Sequence, residues 1–149
     1  MLDWLKTNAG AAKKRLQDEV SKFKNREFME AVVAGCALVA SADGNISSEE
    51  KQKMIAFMQN SDELKVFMID DVISFFNEVV SKFDFDHQLG KIEALKVTGK
   101  LRSKPDAART MVRVCCVIGS SDGNFDEKEH QIVREICTDV GLLPADFGL

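Results

Sequence analysis

Two short acidic segments of this chain carry the same residue types at the same spacing. Residues 43–50 read DGNISSEE, and residues 122–129 read DGNFDEKE. Each segment follows an apolar stretch that contains cysteine, and each precedes a charged stretch with apolar residues at helical spacing. Two copies of one pattern indicate two helix–loop–helix units of the same design, with carboxylates at fixed points in each.

The spacing within each segment matches the second half of an EF-hand calcium loop. Such a loop has a Gly at its sixth position and a bidentate Glu about six residues later. Gly44 and Glu50 have this spacing, and so do Gly123 and Glu129. An Asp directly before the Gly also fits the calcium-loop pattern in both copies. The carboxylates of the first half of that pattern are missing, since apolar residues and serine stand in their places.

A cation site built from one such loop has few protein ligands. A hard cation takes about six to eight oxygen ligands, so a single loop predicts a weak site rich in water, or one completed by another part of the chain. The expected ion is a divalent cation such as Ca²⁺. The candidate ligands are Asp43, Asn45, Ser47 and Glu50 in the first loop, and Asp122, Asn124, Asp126 and Glu129 in the second.

A purely structural interpretation explains most of the same residues. The Gly adopts the positive φ of a tight turn, and the following Asn tolerates turn conformations. Ser47 with Glu50, and Asp126 with Glu129, have the spacing of a capping box at a helix start. Capping and metal binding are compatible, and the sequence leaves both open.

Apolar residues recur at helical spacing along almost the whole chain, and no segment alternates as a strand does. We therefore predict an all-α fold of about seven to eight helices in a single domain, residues 1–149, with two pseudo-symmetric helix–loop–helix halves. A nearly uncharged helix at 27–40 is expected at the centre of the bundle. We expect a turn at 84–86, a helix over 87–102, and a helix start at 103–106, with Ser103 as its cap.

Charge is distributed unevenly along the chain. Residues 1–26 contain seven Lys or Arg and three Asp or Glu, which gives +4; because the whole chain is −4, the remainder is −8. An acidic body argues against nucleic acid as its main partner and favours cations or basic proteins. The basic N-terminal helical arm, 1–26, either packs its apolar stripe on the core or lies on a membrane surface. The stripe consists of Leu16, Val20 and Phe23, with Trp4 and Leu5 ahead of it.

Targeting and catalytic signals are weak. The chain has no apolar run long enough for a transmembrane helix and no signal-peptide core, so we expect a cytoplasmic protein. No nucleophile motif or phosphate loop is present, which favours a protein that is not an enzyme. The cysteines lie in apolar helical stretches and are expected to be free core residues rather than zinc ligands. They are Cys36, Cys115, Cys116 and Cys137.

Four features together resemble TerB, a family of bacterial tellurite-resistance proteins. They are the pair of acidic loops, the stretch SSEEKQKMI at 47–55, the segment FDFD at 83–86 and the ending ADFGL at 145–149. The similarity extends over essentially the whole chain. It implies an all-helical fold with internal pseudo-symmetry and a role in a bacterial stress-resistance system.

The resemblance also implies a ligand set, partners and a location. It implies a divalent cation near the loops, bound by Asp43, Asn45, Glu50, Asp122, Asn124 and Glu129. Ser47 occupies the place of Asp126, so the first site is expected to be the weaker one. Other Ter proteins, one of them embedded in the inner membrane, are the implied partners at its inner face. Direct thiol chemistry on tellurium is an alternative, although Cys115 and Cys116 point about 100° apart as helix neighbours.

Overall fold

The computed structural model describes the backbone of residues 9–23, 25–44, 46, 48–60, 64–120 and 125–149. Within these residues the secondary structure consists of seven α-helices and short 3-10 turns. The all-α prediction and the expected number of helices are confirmed. The helices are α1 (Ala9–Lys22), α2 (Arg26–Ala40), α3 (Ser48–Asn60), α4 (Ile69–Phe85), α5 (His87–Gly99), α6 (Pro105–Gly119) and α7 (Glu127–Asp139), and 3-10 turns cover Ser41–Asp43, Lys100–Ser103 and Pro144–Phe147.

Helix α2 lies at the centre of the fold. Every residue from Ala31 to Val39 is buried, as a helix that is apolar on all sides requires. Helices α4, α5, α6 and α7 all pack against it. Helix α6 lies close to α2 at Gly35, where an added Cβ would stand 2.5 Å from Sγ of Cys115. The predicted central helix is therefore confirmed.

Helices α4 and α5 pack closely against each other, and the residues that they bury differ greatly in size. The inner face of α4 carries large apolar residues, among them Phe76 and Phe83, whereas α5 buries only Gly90, Ala94 and Thr98. The turn expected at 84–86 is shorter than predicted. Helix α4 continues to Phe85, and Asp86 alone separates it from α5.

Three of the described helix starts, at α2, α5 and α7, have a side-chain cap, whereas Met68 before α4 and Lys104 before α6 make no side-chain capping bond. Asn25 caps α2, and its side-chain oxygen accepts a hydrogen bond from the Phe28 N–H at 2.8 Å. At α6 the prediction of Ser103 as the cap was wrong. Ser103 lies in the preceding 3-10 turn, and Lys104 occupies the cap position without a side-chain capping bond. Pro105 still opens the helix, because its fixed φ suits the first helical position.

The apolar stripe of α1 packs against the core. Leu16 and Val20 are buried, and α1 packs against α6. Glu19 strengthens this contact through Arg113, with an O–N distance of 3.2 Å. Membrane contact by the N-terminal arm stays a prediction, and it now depends on Trp4 and Leu5, which lie outside the described residues. None of the described helices is long and apolar enough to cross a bilayer.

The helices that precede the two acidic loops end in the same way. After α2, the Ser41 hydroxyl donates a hydrogen bond to the Leu38 carbonyl at 2.7 Å. After α6, the Ser120 hydroxyl donates to the Val117 carbonyl at 3.2 Å. The first loop then turns at Gly44, whose φ of 103° favours glycine, as predicted. Two matched helix ends do not establish symmetry of the whole halves, which stays a prediction.

Candidate functional site

The segments that border the two acidic loops lie at the same end of the molecule. The 3-10 turn Ser41–Asp43 packs against α7, the helix that follows the second loop. Gly119, at the end of α6, brings these segments together. A Cβ on this glycine would stand 3.1 Å from Cγ1 of Val39 and 2.7 Å from Cε2 of Phe125. Helices that are distant in sequence therefore place the first loop beside the start of α7.

Asp43 lies in an exposed position beside a lysine of the other loop region. Its Oδ1 is 3.9 Å from Nζ of Lys128. The two side chains are 64% and 71% exposed, so the pair itself contributes little to stability. Sequence analysis missed Lys128, because the pair joins residues far apart in the chain. The contact shows that a positive charge already lies near one candidate ligand.

The second loop ends in the predicted capping box. The Glu129 N–H donates to Oδ1 of Asp126 at 2.9 Å, and the Asp126 N–H donates to Oε1 of Glu129 at 3.4 Å. Both side chains are half-buried. Asp126 uses its Oδ1 in this bond, so a cap of this kind is compatible with a cation at the second carboxylate oxygen.

The remaining candidate ligands stay predictions. Asn45, Ser47, Asp122 and Asn124 lie outside the described residues, and of Glu50 only the backbone in α3 is described. Among the side chains that are described, no group of three or more Asp, Glu, His or Cys is arranged to hold a metal ion. The structure thus brings Asp43 to the start of α7 and leaves the full ligand set untested.

Two ionisable groups at the start of α7, Glu127 and His130, have lowered pKa values. A hydrogen bond from Arg134 lowers the pKa of Glu127, so this carboxylate is ionised at neutral pH. His130 contacts Phe125 with ring centroids 4.5 Å apart and the ring planes tilted by 50°. Burial lowers the pKa of His130, which keeps its imidazole neutral at pH 7. The local charge at neutral pH therefore comes from carboxylates, Lys128 and Arg134.

All four cysteine thiols are buried in the core, as the sequence predicted. A hydrogen bond with Cys36, together with burial, raises the pKa of Cys115 well above its usual value. Burial likewise raises the pKa of Cys116, and it raises that of Cys137 to about 12. Because the thiolate is the nucleophile and metal ligand, these thiols are poorly suited to attack a tellurium oxyanion in the folded protein.

We expect the native protein to react poorly with a thiol reagent such as dithionitrobenzoate. At pH 8 the reagent should modify far less than one thiol within minutes, whereas all four cysteines should react in denaturant. The reason is that a buried thiol reacts only after local opening of the helices around it. Rapid labelling of even one native thiol would restore direct thiol chemistry as a mechanism.

Comparisons with known proteins identify related sequences. The family model described as "Tellurite resistance protein TerB" matches residues 29–149, which include both acidic loops. One relative, "Tellurium resistance protein TerB" from Alcaligenes sp, is 45% identical over 112 residues. The aligned region covers 75% of this chain and 92% of that relative. No solved structure gives a significant match.

Proposed function

The chain belongs to the TerB tellurite-resistance family, and from this premise we propose that it is a non-enzymatic protein of the bacterial cytoplasm that binds a divalent cation such as Ca²⁺ through its two acidic loops. The observation that carries the proposal is the position of Asp43 beside the start of α7, with its carboxylate 3.9 Å from Lys128. Residues of one loop thereby lie next to the helix that begins at the other.

The charges at this end of the molecule give the proposal its physical basis. Asp43 approaches a helix whose first turn carries Glu127 and Glu129 behind the cap Asp126. Carboxylates on adjacent segments repel one another, and a cation offsets the repulsion. Lys128 supplies one positive charge near Asp43. A divalent ion supplies two, together with direct bonds to oxygen, which hard cations prefer.

Binding of the ion would alter an acidic docking surface. The chain outside its N-terminal arm carries a net charge of −8, since residues 1–26 hold +4 of the total of −4. We propose that this acidic body docks to other Ter proteins at the inner face of the inner membrane, one of them embedded in it. The ion would then change the charge that the partner meets. Contact of the arm with the lipid surface is part of the same proposal.

Thermal melting with and without cations tests the site. Ca²⁺ at a hundredfold excess over its dissociation constant should stabilise the fold by about 2.7 kcal/mol. For a chain of this size that is a rise in Tm of roughly 5–10 °C. The double variant Asp43→Asn with Asp122→Asn should lose most of the rise, because each change removes a ligand charge from one loop.

A matched control removes the same charge elsewhere. Asp18 and Asp70 are exposed on α1 and α4 and belong to neither loop. The double variant Asp18→Asn with Asp70→Asn should keep the full response to Ca²⁺. If neither Ca²⁺, Mg²⁺ nor Zn²⁺ shifts the melting of the wild-type protein, the cation-binding proposal is wrong.

The second candidate function is a helical interaction module whose acidic loops only cap helices. The capping box of Asp126 and Glu129 is the observation in its favour. Replacing Asp126 with Asn separates the two candidates, because Asn caps a helix as well as Asp does but ligates a cation less strongly. Stability without cation should stay unchanged in this variant. A weaker Ca²⁺ response supports the metal site, whereas partner binding that ignores a chelator supports the interaction module.

A further inference from the structure

Helix α5 presents large apolar side chains to solvent. Phe85, at the junction with α4, is 83% exposed, Leu89 is 39% exposed and Ile92 is 53% exposed. Leu89, Ile92 and the exposed Lys96 lie at helical spacing along α5, and together with Phe85 at the end of α4 they are here named the α5 crest. The opposite side of the helix buries the small residues Gly90, Ala94 and Thr98. The arrangement is the reverse of an ordinary surface helix, which turns its large apolar residues inward.

The crest is not required by the packing of α5 within the chain. Close contact with α4 depends on the absence of a side chain at Gly90, where a Cβ would lie 2.6 Å from Cα of Phe83. Leu89 and Ile92 lie on the other side and remain in contact with water. Neighbouring apolar side chains that the fold leaves uncovered are available to contact another molecule.

Charge along the crest is arranged by sign. Asp86 stands at its beginning, and Lys96, whose Nζ is 3.4 Å from Oε1 of Glu93 on the same helix, stands at its end. Asp84, also at the beginning, already pairs with Lys51 at 2.6 Å. Asp86 is fixed in place, because its Oδ1 accepts the Gln88 N–H at 2.9 Å as the cap of α5. With a rise of about 1.5 Å per residue, acid and base are separated by about 15 Å, and the apolar residues lie between them.

When two copies of this helix run antiparallel, the acidic end of each crest lies opposite the basic end of the other. We propose that the α5 crest binds a second copy of this chain, with the two α5 helices antiparallel across a two-fold axis between Leu89 and Ile92. Asp86 of each copy then faces Lys96 of the other at both ends of the contact. Phe85 covers the methylene stem of that lysine, and the leucines and isoleucines fill the centre. A parallel pairing would set acid against acid.

The proposed dimer goes beyond cation binding and does not depend on it. An isologous contact uses the same patch on both copies, so it closes after two. One helix face on each copy buries less than the about 800 Å² per partner of a standard stable interface. We therefore expect a reversible dimer with a dissociation constant of roughly 0.1 mM.

Sedimentation of the full chain under reducing conditions tests the proposal. Between about 0.01 and about 1 mM protein, the average mass should rise from that of a monomer towards that of a dimer. Ile92→Lys should keep the protein monomeric over the whole range. The control Leu143→Lys alters a residue that is 67% exposed but lies outside the crest, and it should leave the dimer unchanged. A wild-type protein that stays monomeric at the upper concentration would overturn the proposal.

The charge of Lys96 tests the antiparallel orientation separately. Lys96→Glu places like charges at both ends of the contact and should raise the dissociation constant by about tenfold or more. Lys53→Glu is the control, because Lys53 is also an exposed helical lysine within reach of a glutamate, Glu49, at 3.3 Å. Circular dichroism confirms that each variant is folded. A dimer equally stable in the Lys96 variant and the wild type would contradict the proposed arrangement.

Discussion

Replacing Phe76 with alanine is expected to lower the free energy of unfolding by about 3–5 kcal/mol. Phe76 is fully buried in the stripe of α4 that faces the core, with Val72 and Val80 on the same side. Truncation removes apolar contacts and leaves a cavity that rigid neighbouring helices fill only in part. Urea denaturation followed by circular dichroism measures the change, with the slope of the transition as a check on two-state unfolding.

Phe85→Ala is the matched control for this prediction. It is the same substitution on the same helix, but Phe85 is 83% exposed. Its loss should change stability by no more than about 0.5 kcal/mol at low protein concentration. Equal effects of the two variants would mean that α4 does not bury the face described above.

Gly90→Ala is expected to destabilise the fold by about 3 kcal/mol, although alanine favours helix. The added Cβ would lie 2.5 Å from Cγ, 2.6 Å from Cα and 2.7 Å from N of Phe83. Two of these atoms belong to the backbone of α4, so a side-chain rotation cannot relieve the overlap. The helices must move apart, and the contacts between them are lost. Thermal and urea unfolding measure the effect.

Gly99→Ala tests the same substitution in the same helix without this obstacle. Its Cβ would meet only the carboxylate of Asp139, at 3.0 Å, which is the mobile end of an exposed side chain. We expect no loss, or a gain of up to about 1 kcal/mol from helix propensity. A destabilisation by Gly90→Ala no larger than that of the control would show that α4 and α5 are not in such close contact.

Local sequence rules predicted the parts of the fold that depend on neighbouring residues. The central position of α2 followed from its apolar composition, and the capping box of Asp126 and Glu129 followed from spacing alone. Ser103 shows the limit of this approach. Lys100–Ser103 form a 3-10 turn in which Leu101 is buried, and the cap position of α6 falls on Lys104 instead. The local signal thus predicted a helix start in the correct segment, but the cap lies at Lys104 and not at Ser103.

The acidic loops show the same difference between what residue spacing predicts and what tertiary contacts determine. Their shared pattern identifies them as candidate cation sites through residue type and spacing. The pattern does not indicate that Asp43 lies beside Lys128 near the second loop. Contacts between side chains that are far apart in the sequence cannot be predicted from the spacing of neighbouring residues. The confirmed cap at Asp126 supports the structural role of the second loop and is compatible with a metal role.

Helix α5 shows why the exposed apolar surface could be identified only from the tertiary structure. Its sequence is apolar on more than one side, and such a pattern is typical of a helix covered all round. The fold covers only the side with Gly90, Ala94 and Thr98, and it leaves Leu89 and Ile92 in water. The sequence by itself determined the helices, the cap of α7 at Asp126, the burial of the cysteines and the TerB resemblance, since these depend on residue type and short-range spacing. Only the tertiary structure decided which helix ends meet and which apolar faces stay uncovered, because periodicity specifies that a face is apolar but not which neighbour packs on it.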